Sequence, residues 1–326
     1  MQIISLADIQ SVVTDQGAIE AVKSGFVAMA QGHVKMPSPM QILFNDERGE
    51  LRGDCHVKAA QALGSPYFVI KVAAGFYGNP ARGLPVNSGL VLVISADTGI
   101  PVALLRDEGW LTQMRTAAAG ALAAGLKQLT GHETLGIIGT GTQAALQARM
   151  ICRHLRLSSV SIYGRSANKA AELRNQLKAD GFQVSVAPSV RELCYSSAIV
   201  VTTTPSQQPI LSVADVPDRL HIVAVGADSP GKIELDPEIF ARADIIATDD
   251  HAQCLHHGDF GAAVRAGAIR EDSDVSFCKL LAGQMPEVDF STSKISVVDL
   301  TGLGIQDLAI ASLVMESASR CTNDAC

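Results

Sequence analysis

The chain has 326 residues, 47% of them hydrophobic and 18% charged, and its formal net charge is −7. The lack of a long basic run argues against nucleic acid as a partner, because phosphate backbones attract clustered lysine and arginine. The start, "MQIISLADIQ", lacks the basic region of a signal peptide, and no apolar stretch reaches the roughly 20 residues of a membrane helix. Seven scattered cysteines without a C-x-x-C pair predict reduced thiols in a cytoplasmic protein.

The first third of the chain predicts a small α+β domain. Residues 1–30 have helical spacing, residues 40–105 are rich in strand-forming residues, and "SADTG" between two apolar runs predicts a hairpin. The segment "RTAAAGALAAGLKQL" predicts a helix that leads into the next domain. The last amphipathic helix, "GIQDLAIASLVMESAS", is expected to return to the first domain, which then comprises residues 1–118 and 304–326.

Residues 119–303 predict a parallel sheet flanked by helices. Short apolar runs such as "ETLGIIG", "SVSIYG" and "LHIVAVG" alternate with helical segments, one of which has a capping Ser166 before it and Gly181 after it. Such alternation is typical of βαβ units. The sequence therefore predicts an α/β fold, in which a Rossmann-type doubly wound parallel sheet is joined by a smaller α+β domain.

A glycine-rich loop lies between the first predicted strand and helix of the parallel sheet. It reads "GIIGTGTQAALQ" and contains Gly139, Thr140, Gly141, Gln143 and Ala144. Gly139 permits a tight turn, Gly141 lets the backbone approach a pyrophosphate, and Ala144 allows close packing of the helix on the strand. Because a strand precedes the loop and a helix follows it, the motif predicts a dinucleotide site.

The end of the second predicted strand carries a cation where NAD enzymes usually have an acid. The stretch "SIYGRSANK" places Arg165 and Ser166 there, and no acid follows before Glu172. A guanidinium suits a 2′-phosphate, although a solvated surface arginine is the alternative interpretation. The sequence thus favours NADPH, with NADH as the alternative donor.

Seven stretches resemble the ornithine cyclodeaminase/mu-crystallin family, in the same order and spacing along nearly the whole chain. They are "FVIKVAAGF", "NPARGLPVNSG", "LTQMRTAAAGA", "GIIGTGTQA", "TTTPSQQPIL", "AVGADSPGKIELD" and "DLTGLGIQDLA". The resemblance implies an NAD(P)-dependent enzyme that acts on the Cα–N bond of a small L-amino acid or its imine. It also implies a homodimer paired through the sheets of the first domain.

The same resemblance implies roles for individual residues. Lys71 and Arg115 match the groups that bind the substrate carboxylate, and Asp228 matches the acid that meets the substrate nitrogen. The implied cofactor contacts beyond the glycine loop and Arg165 are Thr203 and Thr204, with Thr301, Gly302, Gln306 and Asp307 nearer the nicotinamide.

The residues themselves support these roles but leave alternatives. Lys71 interrupts an apolar strand, where a lysine is costly unless it is paired or faces a cleft, although a lysine at the edge with an extended stem is the alternative. Arg115 is predicted to open its helix, and a cation there opposes the helix dipole, which suggests a ligand or an internal salt bridge. Asp228 follows a strand as either a turn residue or a general acid–base group.

Two further positions bear on the site. Many family members carry a basic residue after the proline-rich segment near the N-terminus, where this chain has Met40 and Gln41. His56 and Lys58 are the candidates to supply the missing contact. Trp110 is expected in the core, and Lys232 and Glu234 are expected to form a solvated pair, with a role in holding the loop as the alternative.

The stretch "DDHAQCLHHGD" collects side chains of the types that bind zinc, from Asp249 to Asp259. The spacing matches no standard zinc motif, and the resemblance implies no metal. We therefore expect a polar loop beside the cofactor domain and no metal site.

The leading hypothesis is an NAD(P)H-dependent reductase of a cyclic ketimine, such as pyrroline-2-carboxylate or piperideine-2-carboxylate, which yields L-proline or L-pipecolate. The first alternative is an ornithine or lysine cyclodeaminase, which releases ammonia and recycles NAD internally. The second is an open-chain amino acid dehydrogenase, and a non-enzymatic binding role is the alternative of a different class.

Overall fold

The computed structural model describes residues 1–76 and 78–323, with the backbone alone for residue 80 and residues 319–323. The chain divides into two compact units. One comprises Met1–Arg115 and the segment that begins at Leu303, and the other comprises Thr116–Gly302. In the described part of the chain, no helix combines the length and apolar character needed to cross a bilayer.

The strands and helices follow one another along the chain with short connections. The strands are β1 (Gln2–Ile4), β2 (Val34–Lys35), β3 (Met40–Asn45), β4 (Leu51–Ala62), β5 (Tyr67–Phe76), β6 (Asn87–Ser95), β7 (Pro101–Leu105), β8 (Thr134–Ile138), β9 (Ser159–Tyr163), β10 (Gln183–Val186), β11 (Ile199–Thr202), β12 (Gln207–Leu211), β13 (Leu220–Ala224), β14 (Ile233–Leu235), β15 (Ile245–Thr248), β16 (Val275–Ser276) and β17 (Ile295–Asp299). The helices are α1 (Leu6–Val12), α2 (Asp15–Ala30), α3 (Trp110–Ala124), α4 (Thr142–Leu155), α5 (Ala167–Ala179), α6 (Val190–Tyr195), α7 (Pro237–Arg242), α8 (His251–His257), α9 (Asp259–Arg265), α10 (Phe277–Leu281) and α11 (Gly304–Asn323).

The first unit is built on a mixed sheet with the order β1-β7-β6-β5-β4-β2, and β3 also pairs with β4. Strands β3 to β7 pair antiparallel in sequence, so each neighbour in the chain is also a neighbour in the sheet. The predicted hairpin at "SADTG" joins β6 to β7. Strand β1, which the sequence reading did not detect, pairs parallel with β7.

Helix α11 packs on α2 and on β4 of the first unit, as its amphipathic pattern predicted. Its buried apolar side chains recur at helical spacing, namely Ile305, Leu308, Ala311 and Met315. The partner helix α2 buries a matching stripe of Ala18, Ile19, Val22 and Phe26. This packing brings the first turn of α11 next to the sheet.

The second unit is a parallel sheet with the order β10-β9-β8-β11-β13-β17-β15-β16. The strands run outward from β8 in both directions, which is the doubly wound arrangement. The predicted α/β fold with a Rossmann-type sheet and a smaller mixed-sheet domain is confirmed. Because every strand is parallel, the ends of β8, β11, β13 and β17 lie at one edge, where such sheets bind ligands.

The helix caps explain one error in the sequence reading. Ser166 caps α5 by accepting the N–H of Lys169, as predicted. Helix α3, however, begins at Trp110 and not at Arg115. The carboxylate of Asp107 accepts the N–H of Leu111 at 2.9 Å, and the Asp107 carbonyl accepts that of Trp110 at 2.8 Å. These bonds extend the helix by more than a turn, so Arg115 lies beyond its first turn.

Candidate functional site

Cations of the first unit converge on one buried carboxylate. Lys71 of β5 lies directly opposite Lys58 of β4, and both strands face α11. The Nζ of Lys71 lies 3.1 Å from Oδ2 of Asp307, and the Nε of Arg115 lies 3.1 Å from its Oδ1. Lys58, Lys71, Arg115 and Asp307 are all at least nine-tenths buried. We call these four residues the cation cluster.

The cation cluster stabilises the buried carboxylate of Asp307. Burial on its own would raise the pKa of Asp307, but the charges of Lys71, Arg115 and Lys58 more than offset burial, and the pKa is lowered. Burial lowers the pKa of Lys71, while the attraction of Asp307 acts in the opposite direction. A second carboxylate that enters this environment would gain from the same charges.

Arg115 takes part in an internal ion pair, which was the alternative in the sequence reading. Its Nη1 also donates to Oε1 of Gln306 at 2.8 Å, and that oxygen accepts the N–H of Leu303 at 2.9 Å. The helix-dipole argument for a ligand at Arg115 was wrong, because α3 starts earlier. Gln306 and Asp307, expected near the nicotinamide, have their side chains in contact with Arg115. Their cofactor role stays a prediction.

Met40 and Gln41, where many family members carry a basic residue, lie on β3 beside His56 and Val57 of β4. Gln41 of β3 is directly opposite His56 of β4, and Met40 is opposite Val57. The Nε2 of His56 lies 3.8 Å from Oδ2 of Asp54, and His56 and Lys58 share one face of β4. Lys58 therefore belongs to the cation cluster, whereas His56 is its neighbour along the strand. Trp110 is only partly buried at the start of α3.

The glycine loop of the second unit has the geometry of a phosphate site. Gly139 has φ +133°, and a Cβ built on it would lie 2.3 Å from Oγ1 of Thr203, so only glycine fits. Gly141 is the N-cap of α4, makes no side-chain cap, and a Cβ there would meet open space. The first turn of α4 carries no acid, and Ala144 is fully buried against the sheet. These features fit the pyrophosphate of a dinucleotide.

The other predicted cofactor residues lie at the same edge of the sheet. Thr203 follows β11, and its hydroxyl donates to the carbonyl of Ile138 at 3.2 Å. The N–H of Thr204 donates to Oε1 of Glu234 at 2.6 Å. Arg165 and Ser166 are exposed just after β9. The structure thus brings the ends of three strands together around the loop, and the contacts to a cofactor stay predictions.

Thr301 and Gly302 follow β17, and Asp249 holds them through hydrogen bonds. Oδ2 of Asp249 accepts the N–H groups of Thr301 and Gly302 at 2.9 and 2.8 Å, and its Oδ1 accepts the Thr301 hydroxyl at 2.8 Å. Gln253 donates to the Thr301 hydroxyl and to the Gly302 carbonyl. The Thr301 side chain is buried in this network. The Thr301 hydroxyl and both backbone N–H groups are thus engaged within the protein, and the cofactor contacts of Thr301 and Gly302 stay predictions.

Asp228 lies in the loop that follows β13, with its side chain half exposed. The Nζ of Lys232 lies 2.6 Å from its Oδ1, and the hydroxyl of Ser229 donates to the same oxygen at 3.1 Å. The predicted solvated pair of Lys232 and Glu234 was therefore wrong. Lys232 pairs with Asp228, and Glu234 is completely buried and binds the backbone of two loops.

Acidic and histidine side chains of "DDHAQCLHHGD" cap helices or take part in separate hydrogen-bond networks. Asp250 caps α8, Asp249 holds Thr301, and Nδ1 of His251 lies 2.8 Å from Oδ1 of Asp274. Asp259 accepts the N–H groups of Glu234 and Leu235. Within the described residues, no group of three or more His, Cys, Asp or Glu side chains is placed to hold a metal ion.

The sequence reading missed a group of buried acids in the second unit. Glu234, Asp249, Asp259 and Asp299 are each at most 1% exposed. Burial raises the pKa of all four, and the neighbouring charge of Glu234 helps to raise that of Asp259 to about 7. A sequence signal existed, since Glu234 and Asp299 stand within or at the end of short apolar strands. We call these four residues the acid cluster.

Comparison with known proteins agrees with the fold and the glycine loop. A sequence model of the ornithine cyclodeaminase/mu-crystallin family matches residues 2–322. The chain belongs to this family. It is 36% identical to an uncharacterised cyclodeaminase of Sinorhizobium fredii, over 98% of this chain and 96% of the relative.

Two solved structures share the whole architecture. An archaeal alanine dehydrogenase dimer with bound NAD has a TM-score of 0.87 at 32% identity, covering 99% of this chain and 97% of the other. The iminosuccinate reductase of Paracoccus denitrificans in complex with NAD⁺ has a TM-score of 0.87 at 28% identity, with the same coverage. Further relatives at 26% to 31% identity are named ketimine reductase mu-crystallin, Δ¹-pyrroline-2-carboxylate reductase and ornithine cyclodeaminase.

These relatives are reductases, dehydrogenases or cyclodeaminases. The prediction of an enzyme, an NAD(P)-dependent oxidoreductase or a cyclodeaminase, is confirmed at that level. A nicotinamide cofactor is likewise supported, because the two solved structures hold NAD or NAD⁺.

Proposed function

We propose that this chain uses NAD(P)H to reduce the C=N bond of a small cyclic imino acid. The proposed substrates are ketimines such as pyrroline-2-carboxylate and piperideine-2-carboxylate, and the products are L-proline and L-pipecolate. The observation that carries the proposal is the cation cluster, in which a buried carboxylate has a lowered pKa in spite of full burial. An imino acid brings the same group, a carboxylate, next to its reactive carbon.

Lys71 and Arg115 are the proposed carboxylate binders. Arg115 of α3 presents a planar array of donors that suits a carboxylate, and Lys71 is a compact charge on β5. Lys58 adds positive charge from the opposite strand, and His56 is a weaker candidate farther along it. Asp307 keeps the cations in position before substrate arrives, so little reorganisation is needed on binding.

The cofactor supplies a hydride to the imine carbon, and the protein has to hold it and control a proton on nitrogen. Gly139, Thr140, Gly141, Gln143 and Ala144 are the proposed pyrophosphate residues. The other proposed cofactor contacts are Arg165, Ser166, Thr203, Thr204, Thr301 and Gly302. Asp228 is proposed to hold the proton on the substrate nitrogen, and the Nζ of Lys232 donates to its Oδ1 at 2.6 Å.

NADPH is the proposed preferred donor. Arg165 is exposed just after β9, where an acid would recognise the ribose hydroxyls of NADH. A guanidinium can instead form paired hydrogen bonds with a 2′-phosphate. The NAD found in the two solved relatives belongs to those proteins, so comparison of kcat/KM for NADPH and NADH tests the preference directly.

A cyclodeaminase is the second candidate, and the relative from Sinorhizobium fredii favours it. In that reaction, an amino acid such as ornithine or lysine loses ammonia and the cofactor is recycled internally. Open-chain amino acid dehydrogenation, as in the archaeal alanine dehydrogenase, is the third. All three need a carboxylate binder and a group that manages the proton on nitrogen, so the cation cluster and Asp228 serve each of them.

We also propose a homodimer that pairs through the sheet of the first unit. Strand β3 lies at the edge of this sheet and exposes Met40, Ile42, Leu43 and Phe44, with Leu43 54% exposed. A row of apolar side chains on an edge strand is costly in water and is typically covered by a partner. Light scattering coupled to gel filtration measures this state.

The proposed location is the cytoplasm. Cys55, Cys152, Cys194, Cys254 and Cys278 are free thiols in the structure. Proteins that keep several unpaired cysteines are typical of reducing compartments.

The deciding experiment is a substrate screen with two readouts. NADPH oxidation is followed with five- and six-membered cyclic imines and with open-chain imines, and ammonia release is followed with ornithine and lysine. Turnover of cyclic imines with one NADPH consumed per product supports the proposal. Ammonia release with only catalytic NAD would replace it with cyclodeamination.

Asp228→Ala tests the proton-handling role within that screen. We expect kcat to fall by about 100-fold to 10,000-fold, because a positioned general acid contributes that much. The dissociation constant of NADPH, measured by fluorescence, is expected to stay within about threefold of the wild type. A variant that retains wild-type kcat would remove Asp228 from the mechanism.

A further inference from the structure

Glu234 of β14 is a buried acid that the proposed mechanism does not use. Its side chain is 0% exposed, and it lies behind the edge of the sheet where the predicted cofactor residues are found. Its partners within residues 1–76 and 78–323 are neutral groups and not lysine or arginine side chains. A charged group in such a position is costly unless its hydrogen bonds are complete.

The carboxylate of Glu234 joins the ends of two neighbouring strands. Its Oε1 accepts the N–H of Thr204, just after β11, at 2.6 Å. Its Oε2 accepts the N–H of Gly226, just after β13, and the hydroxyl of Thr202, both at 2.7 Å. Hydrogen bonds to an ionised carboxylate are shorter and stronger than those between neutral groups. One side chain thus binds both loops.

The two loops meet so closely that only glycine fits at the junction. A Cβ built on Gly226 would lie 2.2 Å from the carbonyl oxygen of Thr204 and 2.6 Å from Cδ of Glu234. The backbone after β13, the backbone after β11 and the carboxylate are therefore interlocked. Any shift of Glu234 must move at least one of the two loops.

Glu234 is itself held in place by the rest of the acid cluster. Oδ1 of Asp259 accepts the N–H groups of Glu234 and Leu235 at 2.8 and 3.0 Å. Asp259 opens α9, and Oδ2 of Asp299 accepts the N–H of Phe260 in that helix at 2.8 Å. The support therefore runs from β17 through α9 to β14, and from there to the two loops.

The loops that Glu234 joins carry different parts of the proposed site. The loop after β11 carries Thr203 and Thr204, which are proposed cofactor contacts. The loop after β13 carries Asp228, the proposed proton-handling group, two residues beyond Gly226. Hydride transfer and proton control depend on alignment to within a fraction of an ångström, so a link between these loops bears on catalysis.

We infer that Glu234 is a positioning residue, which sets the distance between the cofactor edge at Thr204 and the loop that carries Asp228. It touches neither cofactor nor substrate and acts through the two backbone N–H groups that it accepts. The expected effect of Glu234 on catalysis rests on the proposed function. The link between the two loops is a property of the fold and can be measured separately.

The test is Glu234→Gln, which keeps the volume of the side chain. An amide has one oxygen and one NH₂ group, so it can no longer accept the N–H of Thr204 and that of Gly226 through two oxygens. We expect kcat to fall by about 10-fold to 100-fold, which is the effect of leaving a buried donor without its acceptor. The KM of the imino acid is expected to change less than about threefold, because the cation cluster is untouched.

Asp236→Asn is the matched control, because it changes an acid two residues away. Asp236 caps α7 by accepting the N–H of Glu238, and its other oxygen accepts that of Val213 at 3.2 Å. It contacts neither of the two joined loops through these bonds. We expect this variant to lower the thermal midpoint while kcat remains that of the wild type. Equal loss of kcat in both variants would overturn the inference.

Amide hydrogen exchange tests the link without any substrate. In Glu234→Gln, the amides of Thr204 or Gly226 should exchange at least about tenfold faster, while those of Ile222 and Val223 in β13 keep their protection. Unchanged exchange at both loops overturns the inference even if the enzyme is inactive. Conversely, a wild type that turns over no imine in the substrate screen removes the proposed function and leaves the exchange result intact.

Thr202→Val provides a milder test if Glu234→Gln does not fold. It removes one donor to Oε2 of Glu234 and replaces a fully buried threonine with a side chain of similar shape. A fall of kcat by about threefold to tenfold, with faster exchange at the amide of Gly226, supports the inference. Wild-type kcat together with wild-type exchange overturns it.

Discussion

The two compact units each bury a cluster of charged side chains, and they stabilise that charge in opposite ways. In the first unit, Lys71 and Arg115 lie 3.1 Å from the oxygens of Asp307, whose pKa is lowered. In the second unit, Glu234 and Asp259 are surrounded by backbone and hydroxyl donors and by each other. Burial raises the pKa of both, and the neighbouring charge of Glu234 helps to raise that of Asp259 to about 7.

Equal burial therefore accompanies opposite pKa shifts of the carboxyl groups, because their neighbours differ. The cation cluster places positive charge in a buried environment, where its attraction for an anionic ligand is stronger than in water. The acid cluster has no cation beside it in these hydrogen bonds and uses its oxygens to fix backbone groups. The first arrangement suits recognition, and the second suits alignment.

The largest expected effect is a difference in stability between a variant of the cation cluster and a variant of the acid cluster. Asp307→Asn leaves Lys71 and Arg115 buried without their counter-charge, so we expect the free energy of unfolding at pH 8 to fall by about 3–5 kcal/mol. Asp259→Asn removes a like charge beside Glu234 and keeps an oxygen for the N–H groups of Glu234 and Leu235. It should change the free energy of unfolding by less than about 1 kcal/mol.

Urea denaturation of both variants beside the wild type measures this difference. The slope of each transition shows whether the same surface is exposed on unfolding. A similar loss of stability in both variants would mean that the acid cluster depends on an ionised Asp259. That outcome would break the distinction between the two clusters.

Lys71→Met should weaken binding of the imino acid. Removing one charged partner of a carboxylate costs about 1.5–3 kcal/mol, so we expect the KM of the imino acid to rise about 10-fold to 150-fold. The dissociation constant of NADPH should not change. Lys23→Met, on the exposed face of α2, is the matched control and should retain wild-type kinetics. An unchanged KM in Lys71→Met would separate the cation cluster from the substrate.

Elements set by local spacing were predictable from the sequence. A helix follows the glycine loop as predicted, and Ser166 caps α5 because its hydroxyl reaches the N–H of a residue three positions on. The doubly wound sheet followed from alternating apolar runs. The start of α3 was placed too late, because the cap at Asp107 precedes the run of small residues.

Contacts between distant residues were not predictable. Arg115 and Asp307 are 192 positions apart, and Glu234 meets Thr202 from 32 positions away. In the sequence, Glu234 follows a lysine closely and resembles half of a solvated pair. Its burial depends on the ends of β11 and β13, whose approach is a property of the folded sheet.

The pH dependence of stability should differ between the wild type and Asp259→Asn. The folded-state pKa of Asp259 is about 7 and its ordinary value is 3.8, so between these values only the folded state keeps the proton. The free energy of unfolding of the wild type therefore loses this contribution as pH rises from about 4 to about 7, and Asp259→Asn does not. His221, whose pKa is lowered by burial to about 4, acts in the opposite direction in both proteins.

The informative quantity is the difference in thermal midpoint between Asp259→Asn and the wild type. This difference should shift in favour of the variant as pH rises from about 4 to about 7 and then stay constant. His221 cancels from it because both proteins contain it. A difference that is independent of pH would show that Asp259 is ionised throughout.

The smallest expected effect contrasts the buried cations with an exposed one. Arg165 is exposed after β9, so the interaction that it is proposed to make with a 2′-phosphate is screened by salt, unlike that of Lys71. Arg165→Ala should raise the dissociation constant of NADPH about threefold to tenfold at low salt and leave that of NADH unchanged. At about 1 M KCl, where the Debye length is about 3 Å, the wild type and Arg165→Ala should have the same dissociation constant for NADPH.

The effect of Lys71→Met on the KM of the imino acid should persist at that salt, because water and ions do not reach a side chain that is 2% exposed. If salt abolished both effects equally, the cation cluster would be open to solvent when the ligand binds. The lowered pKa of Asp307 would then not apply to the state of the protein that binds the substrate.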